Sequence, residues 1–162
     1  MRLGRLLSIL LLTATLTAPT VAAQAAAGTK VLINTDKTGL ALQGYDPVAF
    51  FTDGRPVQGS AAHRTSHLGA EYRFASAEHQ NAFEAEPAKY APQFGGYCAY
   101  GVSQGHTAPV QIDTWQIVDG RLLLNYSQSV KRKFDADRAA YLQKADANWP
   151  GVVEREGKRL EP

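Results

Sequence analysis

Cys98 is the only cysteine of the 162-residue sequence, and it sits in an aromatic, glycine-containing stretch, Phe94-Gly95-Gly96-Tyr97-Cys98-Ala99-Tyr100. A lone thiol can serve as a small buried apolar group, as a reactive sulfur, or as a soft ligand for copper or zinc. No Lys, Arg or His lies within five residues of it, so no neighbour along the chain stabilises a thiolate. Imidazole would complete a borderline metal site, and the chain has four histidines, His63, His67, His79 and His106. His63 and His67 fall in a strand-like segment, where their spacing puts them about 13 Å apart, too far for one tetrahedral zinc. His106 follows Gly105 in a polar loop after Cys98; it either folds back on the thiol or is a plain loop residue. The aromatics Tyr90, Phe94, Tyr97 and Tyr100 surround the Gly95-Gly96 pair. They are candidate walls of a small-molecule pocket and equally candidate core residues. No phosphate loop or His-Glu-x-x-His pair occurs, so a nucleotide or zinc-protease reading has no motif behind it. An enzyme would have to rest on Cys98 and a histidine brought together by the fold.

The elements that must position these residues follow from punctuation and periodicity. Val31 to Asn34 suits a short strand. Gly44-Tyr45-Asp46-Pro47 marks a turn, and Val48 to Phe51 is an apolar run ended by the hairpin-type signal Asp53-Gly54. Arg64 to His67 and Glu71 to Phe74 flank Leu68-Gly69-Ala70 as a second hairpin, with Tyr72 and Phe74 on one face. Ser76 is an N-cap for a helix over Ala77 to about Ala85, and Glu78 suits its positive start. His79 then falls in the first helical turn, where an exposed side chain is the simpler reading. Pro87 opens a further turn carrying Tyr90. Trp115 to Val118 and Arg121 to Leu124 flank Asp119-Gly120, the clearest hairpin. From Ser127 one amphipathic helix is predicted to about Ala145, with Val130, Phe134, Tyr141 and Leu142 as its apolar stripe and Asn148-Trp149-Pro150 as its end. The sum is a single small α+β domain, with antiparallel β-hairpins packed on a short central helix and a C-terminal amphipathic helix.

Residues 1–25 read as a signal peptide. Arg2 and Arg5 precede the apolar run Leu6 to Leu16, and Val21-Ala22-Ala23 and Ala23-Gln24-Ala25 offer cleavage patterns. The run is about half of a membrane span, so no stable membrane insertion is expected after cleavage, and the location expected is periplasmic or secreted. The chain carries 17 Lys+Arg against 15 Asp+Glu; removing Arg2 and Arg5 leaves 15 of each. The balance then does not suggest nucleic-acid binding, no nucleic-acid partner is expected, and Lys131-Arg132-Lys133 reads as a solvated patch. Residues 26–39 are expected to be a lead-in, 40–150 the domain, and 151–162 a flexible tail. One thiol allows no intrachain disulfide, so packing alone must hold the domain.

Several segments in order resemble the YHS-domain family, particularly its secreted bacterial members. They are Gly44-Tyr45-Asp46-Pro47-Val48-Ala49-Phe50-Phe51, Tyr72-Arg73-Phe74-Ala75-Ser76, Phe83, Pro87 and Tyr90, then Gly95-Gly96-Tyr97-Cys98-Ala99-Tyr100, Trp115, Asp119-Gly120 and Leu124-Asn125-Tyr126. The resemblance runs from about Leu40 to Pro150. The related YHS and TRASH-like domains are thought to bind metals through cysteines. Their three cysteine positions fall here on Ala49, Ala75 and His79. The resemblance thus points to His79, beside Cys98 and His106, as a ligand for copper or zinc. The leading expectation is an exported YHS-type binding protein for a transition metal, or for a metal-containing ligand, near Cys98. The alternative is a non-enzymatic small-molecule or protein-interaction module in which Cys98 is a core thiol, and the third is a thiol-dependent enzyme.

Overall fold

The structure is a computed structural model, and it describes residues 28–160. The signal-peptide reading of residues 1–25 lies outside the described residues. Among the described residues three antiparallel two-stranded ribbons, six α-helices and two short 3-10 helices (Leu42–Gly44 and Gln93–Gly96) make one α+β domain, as the sequence pattern indicates. The ribbons are β1 (Lys30–Val31) with β6 (Lys158–Arg159), β2 (Ser60–His67) with β3 (Ala70–Phe74), and β4 (Gln111–Val118) with β5 (Arg121–Asn125). The helices are α1 (Ala49–Thr52), α2 (Ala77–Ala85), α3 (Pro87–Tyr90), α4 (Ala99–Ser103), α5 (Gln128–Ala136) and α6 (Arg138–Glu156). Among the described residues no helix is long and apolar enough to cross a membrane.

Strand β5 divides the interior. Successive side chains on a strand point to opposite faces, yet Leu122, Leu123 and Leu124 are each at most 1 % exposed. Leu122 and Leu124 join Phe50, Tyr72, Phe74 and Phe83 in one core. Leu123 joins Phe94, Val102, Phe134 and Leu142 in a second. A strand apolar on both faces needs cover on both, and the β2–β3 side and the α4–α6 side supply it. The β4–β5 register slips between Gln111 and Gln116, and the slip would strand backbone groups of Asn125. The fully buried Thr114 hydroxyl fills the gap: it donates to the Asn125 carbonyl at 2.7 Å and accepts the Asn125 N–H at 2.8 Å.

Three expectations about elements are corrected. The run Val48 to Phe51 is not strand: α1 forms because the Asp46 carboxylate accepts the Val48 and Ala49 N–H groups and so caps a helical turn. The predicted single C-terminal helix is two, broken where Asp137 leaves the helical region (φ −148°, ψ 60°). Residues eight apart on a straight helix diverge by about 80° in direction. The break instead lets Phe134 and Leu142 both enter the second core. Pro150 does not end α6, which runs on to Glu156, and the tail is not loose in its described part, because Lys158–Arg159 pairs with Lys30–Val31. Tertiary anchors outweigh the hydrogen bond that proline removes. Val152 is fully buried, and the Asn148 amide donates to the Val102 and Ser103 carbonyls at 3.1 Å each, closing the C-terminal end of α4.

The β4–β5 turn has both central residues at positive φ, Asp119 at 51° and Gly120 at 73°, the geometry that a two-residue hairpin needs. Gly120→Val places a β-branched side chain there. It is expected to lower stability by about 1–2 kcal/mol, read as a drop in thermal midpoint.

Candidate functional site

Cys98 sits at the N-cap of α4 and is 1 % exposed. Its Sγ accepts the Gly101 N–H at 3.4 Å and the Tyr126 N–H at 3.3 Å, and the thiol donates to Asn125 Oδ1 at 3.7 Å. The same Oδ1 accepts the Tyr100 N–H at 3.2 Å. The sulfur therefore satisfies orphan donors at the start of α4 and ties that helix to the end of β5. This is the work of a capping atom inside a core.

His79 is also occupied. Ser76 Oγ accepts its backbone N–H, fixing it at the start of α2, and its Nδ1 lies 2.6 Å from Asp46 Oδ2. Asp46 has no exposed surface, and its oxygens also accept the N–H groups of Val48, Ala49 and Ala75. On the far side of the ring, Nε2 lies 3.3 Å from Thr52 Oγ1. The order carboxylate, imidazole, hydroxyl is that of a nucleophile with its base and orienting group. The surroundings oppose that chemistry. Thr52 Oγ1 donates to Asp53 Oδ1 at 2.7 Å, and this carboxylate stands where a reaction would develop further negative charge. The cluster is a pin between α1 and α2.

His106 lies in the loop that follows α4. Its backbone N–H donates to the Gly101 carbonyl at 3.2 Å, and its Nε2 would stand 3.5 Å from a Cβ at Gly101, while the residue remains exposed. Cys98 and His106 thus meet Gly101 through its N–H and its carbonyl, whereas His79 belongs to the Asp46 cluster. Among the described residues no three His, Cys, Asp or Glu side chains converge to hold a metal ion. The four aromatics are dispersed as well. Tyr90 is buried with its ring edge-on to Phe51 at 5.4 Å, and Tyr100 packs edge-on against Tyr141 at 5.1 Å. Tyr97 lines a broad cleft of about 800 Å³, where burial and the Glu156 carboxylate push its hydroxyl pKa up. Phe94 alone of the four lines a second cleft, of about 530 Å³.

That second cleft carries the clearest site chemistry. Its walls are Val31 to Ile33, Leu68, Pro92, Phe94, Trp149 and Val153, and His67 and Tyr72 contribute to the lining. The volume lies within the range of small-molecule pockets, and the mixture of apolar walls with few polar groups matches them. Tyr72 is 1 % exposed, and its hydroxyl has no hydrogen-bond partner among the described residues. Burial pushes its pKa well up, so the group stays a neutral phenol. Burial pushes the pKa of His67 down, which favours neutral imidazole. Lys30 and Glu154 are the charged lining residues, and they neutralise one another at 2.6 Å.

Two local features frame the cleft. The segment Val31–Ile33 crosses the molecule as a strap with a cleft on either side. It comes so close to Gly95 that a Cβ there would lie 2.0 Å from the Leu32 carbonyl oxygen. Only glycine permits that approach. Leu68 holds φ 50° in the β2–β3 turn and is 43 % exposed at the cleft lip. A bulky side chain in that conformation costs about 1–2 kcal/mol, and asparagine or glycine is the usual occupant. From sequence, Tyr72 shares a strand face with Phe74, His67 is half of a pair too far apart for one zinc, and Trp149 is part of a helix end. Two bulky residues ahead of glycines, Leu68 before Gly69 and Phe94 before Gly95, both hold positive φ at this corner.

Two outcomes follow for the buried networks. In the folded protein a thiol reagent such as Ellman's is expected to find no reactive Cys98, with one equivalent appearing on denaturation; rapid labelling of the native chain would contradict the capping role. Asp46→Asn turns one acceptor oxygen into a donor facing N–H groups. It is expected to cost about 3 kcal/mol in chemical denaturation, and His79→Gln less, because that change leaves the carboxylate its three backbone donors.

Comparison of the chain with known protein families, with curated proteins and with solved structures finds no match.

Proposed function

We propose that this chain is an exported, non-enzymatic binding module of YHS type that holds a small molecule in the cleft bounded by Val31–Ile33, Phe94 and Trp149. In this reading Cys98 is a capping thiol of the core. The observation that carries the reading is the cleft itself, about 530 Å³ walled by Val31–Ile33, Pro92, Phe94, Trp149 and Val153, with few polar groups and its one ion pair already joined. Leu68 points the same way: the fold carries a strained, exposed apolar side chain at the lip, where a turn alone would favour a polar one.

Copper or zinc at Cys98 is less well supported. The ion would have to draw the sulfur away from two backbone donors in a site that is 1 % exposed. A thiol-dependent enzyme meets the same burial.

The test is titration with Nile red, an uncharged apolar dye that brightens and shifts to the blue on leaving water. The folded chain is expected to bind it saturably at one site. Ala91→Trp, which fills the cleft from its wall, is expected to abolish that binding while keeping a cooperative melt. Cys98→Ser is expected to bind like the parent. No saturable binding by the parent, or undiminished binding by Ala91→Trp, would remove the reading.

A further inference from the structure

Resting on that reading of the cleft, we infer that its outer wall is a gate: residues 29–34 lift as one unit, and a bound molecule enters and leaves by that movement.

Position is the first argument. Val31, Leu32, Ile33 and Leu68 are the residues that line both clefts. The strap and the Leu68 lip are therefore a partition, with about 530 Å³ of space on one side and about 800 Å³ on the other. A wall backed by packed side chains moves only by disturbing the core behind it. This wall has space to move into. The opposite wall does not: Phe94 is buried in the second core, and Trp149 and Val153 belong to α6, which Val152 anchors.

The ties give the rest. None of residues 28–40 is buried, and Ile33 meets the first core with a half-buried side chain. The backbone N–H and C=O groups of Leu32 and Ile33 make no hydrogen bond among the described residues. The bonds of the strap gather at its ends. At one end the Asn34 N–H donates to the Gly95 carbonyl at 2.8 Å, and the Asn34 amide donates to the Gly96 carbonyl at 3.1 Å. At the other, Lys30 and Val31 pair with Arg159 and Lys158, and the Leu160 N–H reaches the Thr29 carbonyl at 3.4 Å. Under the strap lie two glycines. A Cβ at Gly95 would stand 2.0 Å from the Leu32 carbonyl oxygen, and one at Gly157 would stand 3.0 Å from that of Val31. The strap thus rests on bare backbone, which offers no side chains to interlock with it. Beyond Asn34 the chain is fixed again, because Thr35 bridges Ala41 and Asp36 Oδ1 accepts the Thr38 and Leu40 N–H groups. The unit that lifts therefore ends at Asn34. A segment held only at its ends opens at lower free energy than the core.

A lock tests the gate. Because Leu160 donates to Thr29, residues 29 and 160 form a hydrogen-bonded pair, and Lys30 and Arg159 form the non-bonded pair beside it. Cα atoms in such a pair lie about 4.5 Å apart, a distance that a disulfide spans. The double variant Lys30→Cys, Arg159→Cys is compared oxidised and reduced, so one chain serves as its own control. Each form is mixed with Nile red in a stopped-flow instrument. Oxidation is expected to slow association and dissociation together by about tenfold or more and to leave Kd within about twofold, since a gate sets rates in both directions. Amide exchange of the ligand-free parent is expected to show Asn34 and Leu160 equally protected, about a hundredfold or more below the buried Asn125 amide, and oxidation of the variant to raise protection at Asn34. Dye kinetics that ignore oxidation, a change confined to affinity, or Asn34 and Leu160 exchanging only as slowly as Asn125 overturns the inference and leaves the binding cleft standing. If the parent binds no Nile red, the cleft reading is lost and the gate with it.

Discussion

Asp46 takes a carboxylate into the interior with no exposed surface, and the hydration it gives up is replaced by four donors from three parts of the chain. Oδ1 receives the Val48 and Ala49 N–H groups; Oδ2 receives the Ala75 N–H at 2.8 Å and His79 Nδ1 at 2.6 Å. The turn before α1, the end of β3 and the first turn of α2 are thereby fixed to one point. A buried carboxylate with fewer donors would destabilise the fold, and with all of them it selects one arrangement of these segments. Phe50, Phe74 and Phe83 follow from that arrangement into a single core. The Gly-Tyr-Asp-Pro segment is thus more than a turn: its acid is the joint on which the first half of the domain closes.

The second half uses the same device with weaker groups. Asn125 Oδ1 and Cys98 Sγ share the donors at the start of α4 and the end of β5, and Thr114 repairs the ladder where the β4–β5 register slips. Both cores meet on β5, so neither half can shift without moving Leu122 to Leu124. A chain with one thiol cannot staple itself covalently. These buried polar joints do the specifying that disulfides do in small secreted domains.

Much of this was readable from local pattern. The helix Ala77–Ala85 with its Ser76 cap, the Leu68-Gly69 and Asp119-Gly120 hairpins and the α+β class all follow from cap, turn and alternation signals, which depend on near neighbours. The misreadings share a cause in long-range contacts. α1 needs the Asp46 cap, the break at Asp137 depends on how Phe134 and Leu142 reach one core, and α6 passes Pro150 because Val152 and Asn148 are anchored elsewhere. The site was less legible. Cys98 drew attention as a rare residue type, but rarity does not distinguish a cap from a ligand. Tyr72 looked like any other buried strand aromatic, because whether a hydroxyl has a partner depends on residues distant in sequence. The strap is likewise set by Gly95, sixty-odd positions from the carbonyl that needs its space.

The contrast between joint and cleft shows where this fold has room for function. Every oxygen of Asp46 is used, and Thr114 and Ser103 also have partners. The buried polar atoms without one are Tyr72 Oη, Gln116 Nε2 and Asn125 Nδ2 among the described residues, and of these only Tyr72 belongs to a lining residue of either cleft. The outer wall there is also lightly built. Val31–Ile33 is held by the short β1–β6 pairing, by Asn34 on the Gly95 and Gly96 carbonyls, and by the Lys30–Glu154 pair, whose acid is largely exposed. An ion pair so open to solvent contributes little, so the strap is tied mainly through its ends. Segments with few buried contacts open at lower free energy than the core behind them. The cleft thus lies between a core pinned by the fully partnered Asp46 and a wall tied mainly at its ends, which makes that wall the part of the domain that can yield at least cost.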